Sequence, residues 1–416
     1  MAFASHRPLG TATSPRVVLH LDADCFFAQV RASLKPSQLL HCLTVISGPR
    51  LSALNYAGWL PQVHELLDRS LKGRAVAVQQ HDDVIAMNYA AKALGVVRHM
   101  APRKARALLE AAGGRLVHVP DEGKPPRTSY RVYREASEVV EDCVREMVGE
   151  RAEFEKGHGH DEWFVDSSDE CEGSLELGAE LAALIRQRVK ERCGLVISVG
   201  VGRNKFIAKL VASLHKPDGL TVAFPTGALP SQTPSDVEDS SWPADAHAVD
   251  AQEAVRDASV AKVPGLGYKS QHGRVLEEAG IETIGQLQDL EPHGVAQVLG
   301  LPLPRGASIH QLALGVDETE VKFSLPQSLC EQMSLATEDI GNGPGRIRVV
   351  RVGSQGAVER VNEMAGTMAG RVKRHLERFS QTATLLTVGA SAAGQGDVRQ
   401  KANKGAANQQ TRSVSA

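Results

Sequence analysis

Three carboxylates beside short apolar runs are the residues here whose types and placement suit metal-assisted chemistry. Asp22 closes the strand-like run Val17-Val18-Leu19-His20-Leu21, with Asp24, Phe26 and Phe27 directly behind it. Asp161 and Glu162 stand just before a second run, Trp163-Phe164-Val165-Asp166. Phosphoryl transfer to a sugar hydroxyl uses two divalent cations: one lowers the pKa of the attacking hydroxyl, and both neutralise charge on the transferring phosphate. Mg²⁺ prefers hard oxygen ligands, so carboxylates at neighbouring strand ends are what a protein would supply. Any one such carboxylate is more often solvated surface than a ligand. The weight therefore falls on the elements between them. His158 and His160 flank Asp161, and a polar approach to the strand explains them more simply than a histidine metal site.

Those elements must bring the two strand ends together. Residues 75–79 and 84–87 are short apolar strands, and 88–112 are helical with breaks near Gly95 and Pro102. Residues 129–148 predict a helix with Ser129 as its N-cap. Residues 174–193 predict an amphipathic helix with Leu175, Leu177, Leu181, Leu184 and Val189 on one side. A buried strand at 195–201, a helix at 204–214 and a strand at 220–223 follow. This helix–strand alternation would let the two carboxylate strands lie side by side in one sheet. Pro36, Pro49, Gly58 and Pro61 interrupt residues 35–72, which read as an insertion. Pro, Ser, Asp and Ala dominate 225–260, marking a linker.

Composition limits the class. Of 416 residues, 42% are apolar and 23% charged, the balance of a water-soluble globular chain, and no run reaches the roughly 18 apolar residues of a membrane span. The acid-free first 21 residues read as a frayed terminus rather than a transit peptide. Six scattered cysteines without a CxxC pair predict neither a zinc site nor a disulfide framework. The net charge of −2 argues mildly against a nucleic-acid binder, but its distribution argues for one. Arg203, Lys205, Lys209 and Lys216 fall in a nearly acid-free segment, and residues 346–378 carry eight Lys and Arg against three Glu. Local basic faces, rather than overall charge, contact phosphates.

Three segments, in order, carry a family resemblance. His20-Leu21-Asp22-Ala23-Asp24-Cys25-Phe26-Phe27, Asp161-Glu162-Trp163-Phe164-Val165-Asp166, and Ser198–Lys205 with Lys216-Pro217-Asp218-Gly219 resemble the palm motifs of Y-family DNA polymerases, which copy past damaged bases. The resemblance covers about 16–34 and 73–390. It implies that Asp22, Asp161 and Glu162, with the carbonyl of Ala23, hold two Mg²⁺ ions, Mn²⁺ being an alternative. Phe26 and Phe27 would lie at the nucleotide, Phe27 as a gate against a 2′-hydroxyl. Tyr89, Lys92, Arg98 and Lys216 would contact the triphosphate or base. Residues 89–98 and Tyr130–Ser137 resemble the eta branch in particular. Family members usually have an acid and an Arg where this chain has Ala90 and Lys92, and a Ser and an aliphatic residue where it has Gly159 and His160. Val263-Pro264-Gly265-Leu266-Gly267 resembles a helix-hairpin-helix turn, with Lys262 and Lys269 beside it.

The expected architecture is thus α+β and multidomain: a polymerase right hand of palm, small fingers and helix-hairpin-helix thumb, plus a partial little finger. The palm would comprise 14–27 and 124–225, and the fingers 28–123 with 35–72 inserted. A linker at 226–260, a thumb at 261–320, a little finger at 324–392 and a disordered tail at 393–416 complete it. In the little finger, a strand at 330–335, a helix at 357–379 and a strand at 383–390 are expected. Implied partners are primer–template DNA and deoxynucleoside triphosphates, with no membrane, in the nucleus; a replication clamp follows from the family, though no clamp-binding motif is visible. The alternative is a catalytically impaired DNA-binding protein of the same shape.

Overall fold

The computed structural model describes residues 15–33, 68–122, 127–148, 152–156, 159–229 and 242–322, with short pieces at 338–340, 347–349, 366, 386–388 and 412–414. The chain divides into two compact units, Met1–Phe323 and Ser324–Ala416.

The first unit is built on a six-stranded sheet in the order β11-β10-β9-β1-β8-β7. Its strands are β1 (Val18–Ala23), β7 (Glu153–Lys156), β8 (Glu162–Asp166), β9 (Ile197–Gly202), β10 (Leu220–Phe224) and β11 (Ala246–Asp250). Alternation along β1 sets its two faces. Val17, Leu19 and Leu21 join the main core, which includes Tyr133 and Val140 from helix α4 (Arg131–Val148) and Ile185 and Val189 from α5 (Leu175–Cys193). Val18 faces the other way and clusters with Phe164, Val321 and Ala208 of α6 (Lys205–Val211). Glycine permits that close packing: a Cβ at Gly200 would fall 2.1 Å from the Ala208 carbonyl oxygen.

The region expected to form the fingers holds a three-stranded sheet, order β3-β2-β4, formed by β2 (Val76–Gln80), β3 (Asp83–Met87) and β4 (Arg115–His118). Helices α2 (Tyr89–Ala93) and α3 (Pro102–Ala111) accompany it. Its separate core is small: Ala77, Val84, Ala91, Val96, Ala105 and Leu109. A short β5–β6 pair (Asp121–Glu122 with Arg127–Thr128) leads into α4. The region expected to form the thumb packs α8 (Gln271–Glu278), α9 (Ile284–Gln288), α10 (Pro292–Leu299) and α11 (Leu303–Ala313), with α7 (Ala251–Asp257) from the expected linker, around Val255, Leu276, Leu287 and Val295. In the second unit, β12 (Glu338–Ile340) pairs with β13 (Ile347–Val349), and β14 (Leu386–Val388) with β15 (Arg412–Val414).

Several expectations change. The buried face of α5 is Leu175, Ala179, Ala182, Ile185, Arg186, Val189 and Cys193, while Leu177 and Leu184 are exposed. The i, i+3/i+4 spacing follows the small residues, so two of the predicted leucines lie off the stripe. The 226–260 linker is shorter than expected. Residues 246–250 add a parallel strand beside β10, and 251–257 are helical, capped by Asp250. Helix α4 begins at Arg131, and Ser129 Oγ accepts from the Arg131 amide at 3.2 Å. Leu71, assigned to the insertion, is buried in the palm core. Residues 412–414, placed in a disordered tail, pair with 386–388 through backbone hydrogen bonds that a polar sequence can also make. The expected strand at 330–335 lies outside the described residues, as does the helix at 357–379 apart from residue 366. No helix among the described residues is long and apolar enough to cross a membrane.

Candidate active site

The antiparallel register of β1 and β8 sets Asp22 opposite Glu162. Directly preceding β8, the Asp161 carbonyl accepts the Ala23 amide at 2.8 Å, so the two carboxylate-bearing strand ends are joined by backbone. Gly159 lies in a left-handed conformation (φ +136°), where a Cβ would come within 2.9 Å of Asp161 Oδ1. Glycine at the position where the family usually has serine therefore leaves room for this carboxylate.

Burial, with the neighbouring Glu162 charge second, pushes the Asp161 carboxyl above its ordinary value. Burial also raises Asp22, against the opposing pull of Lys216. Lys216 Nζ lies 2.5 Å from Asp22 Oδ1 and 3.5 Å from Asp24 Oδ1, and Lys209 Nζ donates to Glu162 Oε2 at 2.6 Å. The hard oxygen donors of Asp22, Asp161 and Glu162 suit a divalent cation by type and placement. Among the described residues, however, no three His, Cys, Asp or Glu side chains are gathered ready to hold one. The two lysines compensate the charge instead.

Asp24 belongs to this site, although its role is not evident from sequence. It is 2% exposed and accepts from Ser198 Oγ (2.7 Å), the Asp218 amide (2.9 Å) and Tyr89 OH (3.3 Å). Burial and then Asp24 raise the pKa of the Tyr89 phenol, which stays protonated and can donate. His20 is also unexpected here. It is 1% exposed, tilts against Phe164 at 4.6 Å between centroids, and its ring nitrogens have no partner among the described residues. Burial, then Lys209 and Lys216, hold it neutral. His160 is half-buried beside Asp161.

The turn between β1 and α1 (Phe26–Ser33) passes through Cys25 in a left-handed conformation (φ 50°). It divides the two phenylalanines. Phe26, expected at the nucleotide, is 2% exposed and packs in the palm core. Phe27 is half-buried and meets Tyr133 edge-on at 4.6 Å and Tyr130 at 6.0 Å. Tyr130 in turn donates to Gln80 of β2. An open cleft of about 370 Å³ is lined by Cys25, Asn88, Tyr89, Lys92, Val97 and Arg98. Asn88 caps α2 through its side chain, accepting the Ala91 amide at 2.9 Å and orienting Tyr89 and Lys92. Burial, with Asp24 second, pushes the Cys25 thiol at its floor up to about 11.

On the thumb, Gly265 (φ +86°) forms the 263–267 turn between a 3₁₀ turn at Val260–Lys262 and α8. Lys262, Tyr268 and Lys269 are exposed around it.

Residues 56–213 match the impB/mucB/samB family. The match includes Asp161, Glu162 and Lys209, while Asp22 and Lys216 lie outside it and join the site through sheet register and the turn before β10. Among similar curated proteins is human DNA polymerase iota, 27% identical over 343 residues, covering 77% of this chain and 38% of that protein. DNA polymerase IV of Halobacterium salinarum is 26% identical over 386 residues, 92% of this chain and 74% of the relative. The chain spans about two-fifths of the length of the iota relatives. A solved insertion ternary complex of Dbh DNA polymerase aligns with a TM-score of 0.47 at 23% identity, over 74% of this chain and 69% of that one.

Proposed function

We propose that this chain is a template-directed DNA polymerase that inserts deoxynucleotides opposite damaged bases. The observation that carries it is the pairing of Asp22 with Glu162, Asp161 alongside, at the ends of adjacent strands facing Lys216. In this reading Asp22, Asp161, Glu162 and the Ala23 carbonyl hold Mg²⁺, or Mn²⁺ in its place, which supplies Lewis-acid activation of the primer hydroxyl and the triphosphate. Tyr89, Lys92, Arg98 and Lys216 bind the triphosphate and incoming base. Phe27, fixed edge-on by Tyr133, lies under the sugar. Lys262 and Lys269 approach the DNA backbone at the thumb turn. In this reading fingers, thumb and little finger follow the expected bounds, except that β11 and the helix at 251–257 take up part of the expected linker.

Primer extension with Mg²⁺ tests this, comparing wild type with Asp161→Ala plus Glu162→Ala. The double variant should lose on the order of 10³-fold in insertion rate while its unfolding transition and primer–template affinity persist. Equal extension by both proteins would overturn the assignment. A second reading, a DNA-binding protein of the same shape without catalysis, is favoured by one observation: Asp22 and Glu162 are each held by a lysine. It predicts DNA binding without extension by either protein.

The finer assignment to the eta branch rests on residues 89–98 and 130–137, whereas the relatives named above are iota and polymerase IV proteins. Extension opposite a cyclobutane thymine dimer decides it. A nuclear location belongs to that branch reading and extends no further than it.

A further inference from the structure

Arg186 lies within α5 and is only 8% exposed, yet it points at no nucleotide-site residue. Its Nη1 donates to Asp245 Oδ2 at 2.8 Å, and its Nη2 donates to both the Asp218 carbonyl and Asp218 Oδ1, the latter at 2.8 Å. Lys190 Nζ adds a further donor to Asp218 Oδ2 at 3.0 Å. A guanidinium this buried is costly unless its hydrogen bonds are well made, and here Nε has no acceptor among the described residues. Its placement is explained by what it grips.

Asp218 is the third residue of the Lys216-Pro217-Asp218-Gly219 turn and is itself left-handed (φ 55°). Its amide donates to Asp24 Oδ2 at 2.9 Å, and the next amide, of Gly219, donates to Ser198 Oγ at 3.3 Å. Gly219 has no room for a side chain, because a Cβ would fall 2.0 Å from the His215 carbonyl oxygen. The turn is therefore held by Asp24, by Ser198 and by Arg186, and Lys216 leaves it to meet Asp22 at 2.5 Å.

We infer that Arg186 is a positioning residue for Lys216: its Nη2, fixed in the guanidinium plane, donates to both the Asp218 carbonyl and the Asp218 carboxylate and so aims the Lys216 ammonium at the carboxylate and triphosphate site. This rests on the polymerase reading for the identity of the triphosphate. A lysine would meet Asp218 through one rotatable ammonium on a flexible stem rather than a donor fixed in the guanidinium plane, so its grip is looser. The second arm, to Asp245, anchors the chain just before β11 and makes no contact with the Lys216–Gly219 turn itself.

The test compares Arg186→Met, Arg186→Lys, Asp218→Asn, Asp245→Asn and Lys216→Ala in the full chain. Single-nucleotide insertion should show KM for the deoxynucleoside triphosphate raised about tenfold in Arg186→Met, with primer–template affinity unchanged and Arg186→Lys intermediate. Adding Arg186→Met to Lys216→Ala should raise KM no further, because both act through one ammonium. Asp218→Asn should move KM and Asp245→Asn should not. If Arg186→Met fails to fold, the Asp218/Asp245 contrast still decides. Amine acetylation read by mass spectrometry follows the coupling without turnover: Lys216 should react several-fold faster in Arg186→Met and in Asp218→Asn, with Lys72 unchanged. Full additivity with Lys216→Ala, equal effects of Asp218→Asn and Asp245→Asn, or unaltered Lys216 labelling would each overturn the inference. An inactive wild type with altered Lys216 labelling would instead overturn the polymerase reading alone.

Discussion

In the palm, Asp22 rests on Lys216, Glu162 on Lys209, and Asp24 on Ser198 and the Asp218 amide, while in the fingers the side chains of Lys92 and Arg98 line the cleft with no hydrogen bond or ion pair to another described side chain. The supporting cores differ in the same direction. Beneath the palm groups lies a six-stranded sheet whose buried Trp163 and Leu19 share a core with Tyr133 of α4 and Ile185 of α5. Beneath the fingers groups lies a three-stranded sheet whose buried cluster is mostly Ala and Val. Side chains locked by packing and by neighbours hold one geometry, whereas exposed long side chains adapt to a ligand at an entropic cost. The palm groups are thus held in one geometry, while the cleft side chains beside the smaller sheet are left able to move.

The largest effect should follow from breaking the palm. Asp22→Asn removes a charge that Lys216 and the Ala23 strand end are built around, and should lower the insertion rate constant by about 10² to 10³ with little change in triphosphate KM. In the fingers, Lys92→Ala should raise KM for the triphosphate about tenfold while sparing the rate constant. Lys92→Arg should lower KM a few-fold, since a fork grips phosphate in two places. Steady-state insertion kinetics check both, and a rate loss from Lys92→Ala equal to that from Asp22→Asn would erase the contrast.

The smallest effect concerns the palm edge, where His215 and His247 stack at 3.8 Å and His215 Nδ1 pairs with Thr221 Oγ1 at 2.9 Å. Burial first, and His247 second, lower the His215 pKa below 6.5. The folded protein therefore binds the His215 proton less readily than the unfolded chain. The stability this neutral pair contributes is present above about pH 6.5 and is lost as pH falls from there through the folded value. Urea midpoints should drop slightly between pH 7 and pH 5.5, and His247→Gln should flatten that drop. An unchanged slope would show that the pair does not couple to folding.

Much of this arrangement was legible in advance. The apolar runs Val17–Leu21 and Trp163–Val165 mark strands buried on both faces, and Asp22 and Glu162 stand at the ends where that burial stops. The three ordered motifs locate the palm, and Asn88, Ser174 and Asn204 cap the helices that follow them. The face of α5 was legible only in part, because leucine is as conspicuous exposed at 177 and 184 as buried at 175, and the stripe is set by Gly178, Ala179 and Ala182. Strand β11 was missed because Ala-His-Ala-Val-Asp has no continuous apolar run. It joins the sheet edge through backbone groups common to every residue.

The sequence by itself determined the strands, their carboxylates and the order of the motifs, because burial pattern and residue chemistry are local properties. Only the tertiary structure decided the partners: Ser198 on Asp24 across 174 residues, the Asp218 amide on Asp24 across 194, and Arg186 on Asp218 across 32. It also separated Phe26 from Phe27, one fully buried in the core and one half-buried against Tyr130 and Tyr133, through the left-handed turn at Cys25. Such contacts depend on strand register and on where a turn is held, and these follow from how the sheet and helices pack together rather than from any one segment.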